Sequence, residues 1–391
     1  MTESFPTVGP AALLPNGFVD TLPPAAAHEQ AVIDGLIRAL TLNGYERVKP
    51  PLVEFEDSLL NGAGAALSQS TFRLMDPITQ RMMGIRADMT VQVARIALNR
   101  LSRAQRPLRL CYAGQVLRVR GTQLRPERQF SQVGAELIGP RGAAADAEAI
   151  GLAIEALEGI GVPNLSLDLT LPTLVPMLLS TVRYEAEVLE RLRHAIDRKD
   201  TAGVAAHAGP LSDVLVPLLT AAGPWQAAFD TIEEIALDDA PARLVARLHD
   251  VVVRVRTAWP GTALTLDFTE NRGFEYQTGV AFTAFATGVR GELGRGGRYI
   301  AQRSVGANDD GEPATGFSLF LDSILRAVPE PPATDRLYLP YGTPADRARA
   351  LRSAGHITLT GLDRDADPIA EASRLGCRYA LIDDVIQPIP R

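Results

Sequence analysis

Cysteine is almost missing from this chain: two residues in 391, Cys111 and Cys377. They stand far apart in apolar, strand-like surroundings. A disulfide framework or a thiolate metal site needs more sulfur at closer spacing, so neither is expected, and a reducing, cytoplasmic compartment fits best. No run of about 18 apolar residues occurs, which excludes a membrane-spanning helix. The start, Met1-Thr2-Glu3-Ser4-Phe5-Pro6, has no basic stretch ahead of an apolar core, so no secretion signal is expected. Lysine is rare, and the basic residues are almost all arginine. The sequence shows no internal repeat and no low-complexity tract. The glycine-rich Gly294-Arg295-Gly296-Gly297 is no P-loop, because no Lys-Ser/Thr follows it.

Several features are present in quantity. Hydrophobic residues make up 46% of the chain, as in a soluble globular protein, and 391 residues exceed one ordinary core. The net charge of -7 argues against a general nucleic-acid binder. Val32, Ile33, Leu36, Ile37 and Leu40 recur at helical spacing within 26–43, and Gly44 sits where a C-terminal cap belongs. Residues 48–53 read as a strand interrupted by Pro50-Pro51, which confines it to an edge or an interface. Segments 72–75 and 81–85 pair across a turn at Asp76-Pro77. A helix over 90–101, strands over 108–120 and 129–138, and a helix over 146–157 follow. Leu165, Leu167 and Leu169 then alternate with polar residues as a strand does. Residues 172–258 are mostly helical and read as an insertion. Strands are expected at 264–268, 279–285 and 291–293, and a closing helix at 314–328. Pro329-Glu330-Pro331-Pro332 marks a linker. The organisation is therefore a core at 1–328, a linker at 329–334 and a small α/β unit at 335–391. The class is α+β, an antiparallel sheet flanked by helices.

Charge is distributed unevenly. Arg100, Arg103, Arg106, Arg109, Arg118, Arg120, Arg125 and Arg128 fall within 29 positions, with Glu127 the one acid among them. Composition alone leaves two readings open: a solvated basic face, or an anion site built from arginine forks. Order favours the second. Arg118 ends an apolar strand before a polar loop, and Gln132, Gly134 and Glu136 share one face of the returning strand. A carboxylate and an amide on a sheet floor near an arginine suit a zwitterion.

The blocks Arg86-Ala87-Asp88-Met89-Thr90, Arg118 before its loop, Arg128-Gln129-Phe130-Ser131-Gln132-Val133-Gly134-Ala135-Glu136, Arg272-Gly273-Phe274-Glu275-Tyr276 and Gly296-Gly297-Arg298-Tyr299 occur in this order. Together they resemble the core of histidyl-tRNA synthetases over roughly residues 10–328. The resemblance implies a class II aminoacyl-tRNA synthetase-like fold and a histidine pocket. Asp88, Thr90, Arg118, Gln132, Glu136, Arg272, Tyr276 and Tyr299 would form it. Glu136 and Gln132 would take the ammonium, Arg272 the carboxylate and Asp88 an imidazole N–H, while the tyrosines line the ring slot. Pro51 resembles the interface proline of a class II dimer.

The departures bear on function. Where the synthetases continue the Arg118 strand with an aromatic and a glutamate, this chain has Val119 and Arg120. A second pocket tyrosine is replaced by Gln277, and the ATP-clamping arginine by Ser323, within Gly316-Phe317-Ser318-Leu319-Phe320-Leu321-Asp322-Ser323. The tail is short for an anticodon-binding domain, so tRNA binding is not expected. These changes are similar to those of a paralogous family, the ATP phosphoribosyltransferase regulatory subunits. That likeness implies no catalysis, no cofactor, no metal, and a short-form ATP phosphoribosyltransferase catalytic subunit as partner in histidine biosynthesis, with feedback by L-histidine. None of the five histidines lies in these blocks. A histidyl-tRNA synthetase of unusual sequence, or a histidine-sensing module for another enzyme, remain the alternatives.

Overall fold

The structure is a computed structural model and describes residues 13–60, 62–122, 125–271, 273, 276–302, 311–331, 334–364 and 367–389. Its contacts form two compact units, Met1–Pro329 and Glu330–Arg391.

The first unit opens with α1 (Ala25–Leu42), which buries Val32, Leu36, Ile37 and Leu40. Gly44 ends it at φ 80°, its N–H bonded to Thr41 O, a conformation that favours glycine. The short β1 (Glu46–Arg47) and β2 (Val53–Phe55) follow. Residues 48–53 were expected to pair as one strand, and they do not: Pro50 and Pro51 have no N–H to give a ladder. Arg86 and Gln92 hold the two proline carbonyls instead, at 3.0 and 2.8 Å. After α2 (Glu56–Leu59) and a 3-10 segment (Gly62–Ser70), β3 (Phe72–Met75) and β4 (Met82–Ile85) pair antiparallel, and β2 joins them in a three-stranded sheet.

Helix α3 (Thr90–Arg95) continues as a π-helical turn to Arg100. The long β5 (Leu108–Leu117) and β6 (Gln129–Ile138) then run antiparallel through ten register pairs. Next come α4 (Ala143–Gly159) and β7 (Leu165–Thr170). Segment 172–258 is helical as expected, in α5 (Leu174–Leu179), α6 (Ala186–Asp197), α7 (Thr201–His207), α8 (Ser212–Thr220), α9 (Trp225–Glu233) and α10 (Asp239–Ala258), apart from the short β8 (Gly223–Pro224). The chain returns through β9 (Ala263–Asp267), β10 (Gln277–Ala286), β11 (Gly294–Ala301), β12 (Glu312–Phe320) and α11 (Leu321–Ala327).

Two expectations differ here. The strand expected at 291–293 lies three residues later, as β11. The helix expected over 314–328 is mostly a strand: β12 runs to Phe320, and only α11 is helical. β12 lies between β6 and β11 and is buried on both faces. Such a strand reads as a continuous apolar run, which periodicity cannot separate from a buried helix.

The main sheet has nine strands in the order β1-β5-β6-β12-β11-β10-β7-β9-β8, antiparallel except where β1 meets β5 and β7 meets β9. Its two faces carry separate cores. On one, α1, α4 and α10 cover Val133, Ala135, Phe317 and Leu319. On the other, Met89, Val93 and Leu98 cover Tyr112, Phe130, Tyr299 and Phe320. Side chains alternate between the faces at period two, so Gln132, Gly134 and Glu136 share the second face, as expected.

The second unit is a four-stranded sheet in the order β14-β13-β15-β16, from β13 (Arg336–Leu339), β14 (Ile357–Thr360), β15 (Tyr379–Ile382) and β16 (Val385–Pro388). Helix α12 (Ala345–Ser353) packs with Leu337 and Leu339 on one face. Helix α13 (Pro368–Arg374) packs with Tyr338 on the other. Among the described residues, no helix is long and apolar enough to cross a membrane.

Candidate ligand-binding cavity

A cavity of about 270 Å³ opens on the second face of the main sheet. Glycines make room for its floor. A Cβ at Gly316 on β12 would sit 2.0 Å from Glu136 Oε2, and one at Gly134 on β6 would sit 2.4 Å from Tyr112 Oη. Without those methyl groups, a carboxylate and a phenol can lie down across the neighbouring strands.

Glu136 is buried at the bottom. Tyr112 donates to its Oε1 at 3.2 Å and Tyr299 to its Oε2 at 2.9 Å. Burial pushes its carboxyl up to about 8, and the nearby Asp88 carboxylate adds to this, while the tyrosine hydrogen bonds pull the other way. Asp88 stands in the turn before α3. Its Oδ1 accepts from Thr90 N at 2.8 Å and its Oδ2 from Gln132 Nε2 at 2.7 Å. Gln132 in turn accepts from Met89 N at 3.0 Å. Its side chain is therefore spent on holding Asp88 and the turn, and the cavity lining does not include it. Thr90 Oγ1 meets Tyr112 Oη at 3.2 Å, and Ser318 Oγ meets the same hydroxyl at 3.1 Å.

Tyr276 and Tyr299 line one wall, edge to face with centroids 5.9 Å apart. Burial raises both phenols far above their ordinary value. Gln277 follows Tyr276 in the wall, and its buried amide oxygen has no hydrogen-bond partner among the described residues.

The opposite end is cationic. The Arg118 guanidinium lies over Phe130 and Phe320, 5.0 and 5.9 Å from their centroids. No carboxylate among the described residues reaches ion-pair distance of it. Burial, then the neighbouring Arg125, lowers its proton affinity. Arg125 itself is committed, with both forks on Asp322 at 2.9 Å. Arg295 pairs with Glu292 and donates to Gly273 O at 3.1 Å. Arg120 lines the mouth. Ser323 is wholly buried beside Arg326 and lies outside the lining.

Of the expected site residues, the cavity thus brings together Asp88, Thr90, Arg118, Glu136, Tyr276 and Tyr299. Gln132 supports Asp88 from beneath. Arg272 lies outside the described residues. Sequence reasoning missed Tyr112, Ser318, Glu292 and Arg295. Tyr112 and Ser318 enter through strand register, since β5 sets Tyr112 opposite Gly134 and β12 sets Ser318 opposite the same glycine. No local pattern carries that information. The opposite charges of Glu292 and Arg295, three positions apart, were the one available signal.

Pro51 is exposed, just ahead of β2. Among the described residues, no group of three or more His, Cys, Asp or Glu side chains could hold a metal ion. No histidine, cysteine or lysine lines the cavity among them. The arrangement offers carboxylates and hydroxyls at one end and, at the other, a guanidinium with no carboxylate partner among the described residues. That chemistry suits binding a zwitterion.

Comparison with known proteins adds three findings. The family model for histidyl-tRNA synthetase matches residues 17–324. The chain is 52% identical to the ATP phosphoribosyltransferase regulatory subunit of Rhodospirillum centenum, over 97% of this chain and 96% of that one. It is also 52% identical to the protein of that name in Paramagnetospirillum magneticum, over 99% of both. Among solved structures, a Bacillus halodurans protein described as an ATP phosphoribosyltransferase regulatory subunit/histidyl-tRNA synthetase superposes with a TM-score of 0.78 at 25% identity, covering 93% of this chain and 96% of that one. A histidyl-tRNA synthetase from Nostoc, at 19% identity and a TM-score of 0.75, covers 95% and 91% and shares the fold.

Proposed function

The chain belongs to the ATP phosphoribosyltransferase regulatory subunits, built on the histidyl-tRNA synthetase fold, and on that premise we propose that it is the cytoplasmic, non-catalytic partner of a short-form catalytic subunit. That partner joins ATP to phosphoribosyl pyrophosphate, the first step of histidine biosynthesis. In this reading the cavity on the main sheet takes L-histidine, and occupancy reports the end product back to the complex.

One observation carries the reading: the amino-acid end of the cavity is furnished while the nucleotide end is not. Glu136, Asp88 and Arg118 remain in place, yet Ser323 stands buried where a clamping arginine would be needed, and Arg120 places a cation where the synthetases have an acid. Adenylate formation requires fixed cations on the shifting phosphate charge, and removing one costs about 3–4 kcal/mol, or roughly 10²–10³ in rate. Histidine binding needs none of them. In the Proposed complex this chain pairs with itself as a dimer core, with Pro51 at the contact.

The deciding experiment is turnover by a cognate short-form catalytic subunit with and without this chain, each with and without L-histidine. Activation by the chain, reversed by histidine, is the expected result. No activation would reject the regulatory reading. Histidine-dependent ATP–pyrophosphate exchange by the chain alone would return it to the synthetases.

A further inference from the structure

Glu136 is a buried carboxyl at the base of an open cavity, and among the described residues no arginine or lysine pairs with it. The groups that touch it are polar and carry no positive charge, and the cavity's arginines, Arg118, Arg120 and Arg295, stand at its other end. β5 offers Tyr112, β11 Tyr299, the segment leading into β10 Tyr276, the turn before α3 Asp88, and the first residue of α3 Thr90. Across the sheet, Tyr45 also feels its charge. Two of these groups donate hydrogen bonds, and Asp88 brings a second negative charge. A carboxylate taken out of water without a cation is costly, and the cheapest remedy is a proton.

We propose that ligand binding here is a proton exchange: the empty cavity holds a proton on Glu136, and the ammonium group of the incoming ligand displaces it to solvent. This deepens the reading of the cavity as an amino-acid site and rests on it. The step balances. A neutral carboxyl and an ammonium ion become an ion pair, and one proton leaves. The consequence is regulatory, because the affinity of the sensor for its effector depends on pH although no histidine of the chain takes part. Burial pushes the Glu136 carboxyl up to about 8, which places the exchange across the physiological range.

Calorimetry tests the exchange. L-histidine and its triazole analogue, whose ring stays neutral, are titrated into the full chain at several pH values in buffers of different ionisation enthalpy. The expected result with the analogue is release of nearly one proton per site at pH 7. Affinity should rise about tenfold per unit from pH 6 towards about 8 and level there. Tyr299→Phe removes a hydrogen bond that favours the charged carboxylate, so it should move the break to higher pH. Glu136→Gln should bind with no proton release. Infrared difference spectra give a direct readout: a protonated-carboxyl band in the ligand-free protein that disappears on binding and is missing in Glu136→Gln.

Binding without proton release, or a pH-independent affinity, would overturn the exchange and leave the histidine reading standing. No binding of either compound at any pH would overturn both.

Discussion

At the scale of single residues, the two ends of the cavity make separable predictions. Arg118 stands over two aromatic rings with no carboxylate partner among the described residues, so an anionic group of the ligand is its natural complement. Arg118→Ala should therefore weaken L-histidine binding by about 1.5–3 kcal/mol, or roughly 10- to 150-fold. Histamine, which has the ring and the ammonium but no carboxylate, should lose nothing. Equal losses for both compounds by calorimetry would show that Arg118 shapes the cavity without contacting the anion. Glu136 predicts a pH dependence of stability. The unfolded chain ionises it near the ordinary 4.5, the folded protein near about 8. Between these values the unfolded state has released its proton and the folded state has not, so wild-type stability falls as pH rises through the window. Glu136→Gln does not titrate, and its melting temperature should gain on wild type across that window and level above it. A constant difference would mean that Glu136 is ionised in the empty cavity. Much of this was legible in sequence, because Asp88, Thr90, Arg118, Glu136, Tyr276 and Tyr299 belong to ordered blocks. The work of Gln132 was not legible, since its amide turns to Asp88 and the Met89 N–H through contacts more than forty residues apart.

At the scale of elements, β11 is tied to the helical layer by a buried ion cluster. Asp146 at the start of α4 accepts from Arg298 of β11 at 2.8 Å and from Arg247 of α10 at 2.7 Å. Asp146 and Arg298 are both nearly inaccessible, and burial lowers the proton affinity of Arg298 while Asp146 restores part of it. Removing one member of such a cluster leaves a desolvated charge uncompensated. Asp146→Ala should destabilise the first unit by about 3–5 kcal/mol, measured by denaturant unfolding; a loss below about 1 kcal/mol would mean that water reaches Arg298 once the carboxylate is gone. Helix α1 was the more legible element, because it buries one side at helical spacing, Val32, Leu36, Ile37 and Leu40. β12 was misread for the complementary reason. A central strand covered on both faces shows no alternation, and its apolar run continues into α11 without a break. The glycines of β11 were equally open to being a turn, and Gly316 fell in the expected helix; only the register that sets Gly297 opposite Gly316 explains them as a floor.

At the scale of the molecule, the hydrophobic clusters respect the division of the chain. Two contain only residues before Pro329, and two only residues after it. Each unit therefore has apolar burial of its own, and the Pro-rich segment between them was the sequence feature that announced this. The expectation of self-association rests on Pro51 alone in the sequence. Pro51 and Leu52 stand at the Ile85 end of the small β2-β4-β3 sheet, where Leu52 is exposed, and Met75, Ile78 and Met82 are exposed at its turn end. Exposed apolar groups gathered on one small sheet mark a contact surface better than any one of them does. If the dimer forms through this surface, a chain ending at Pro329 should still be a dimer at micromolar concentration by light scattering. Ile78→Asp, which buries a charge in the contact without touching a core, should convert that dimer to monomer while leaving the melting of the isolated subunit unchanged. A dimer that survives Ile78→Asp places the contact elsewhere on the first unit. One that is lost with the C-terminal unit places it there, and Pro51 would then be only what its carbonyl contact to Gln92 requires, an anchor for the turn that carries Asp88.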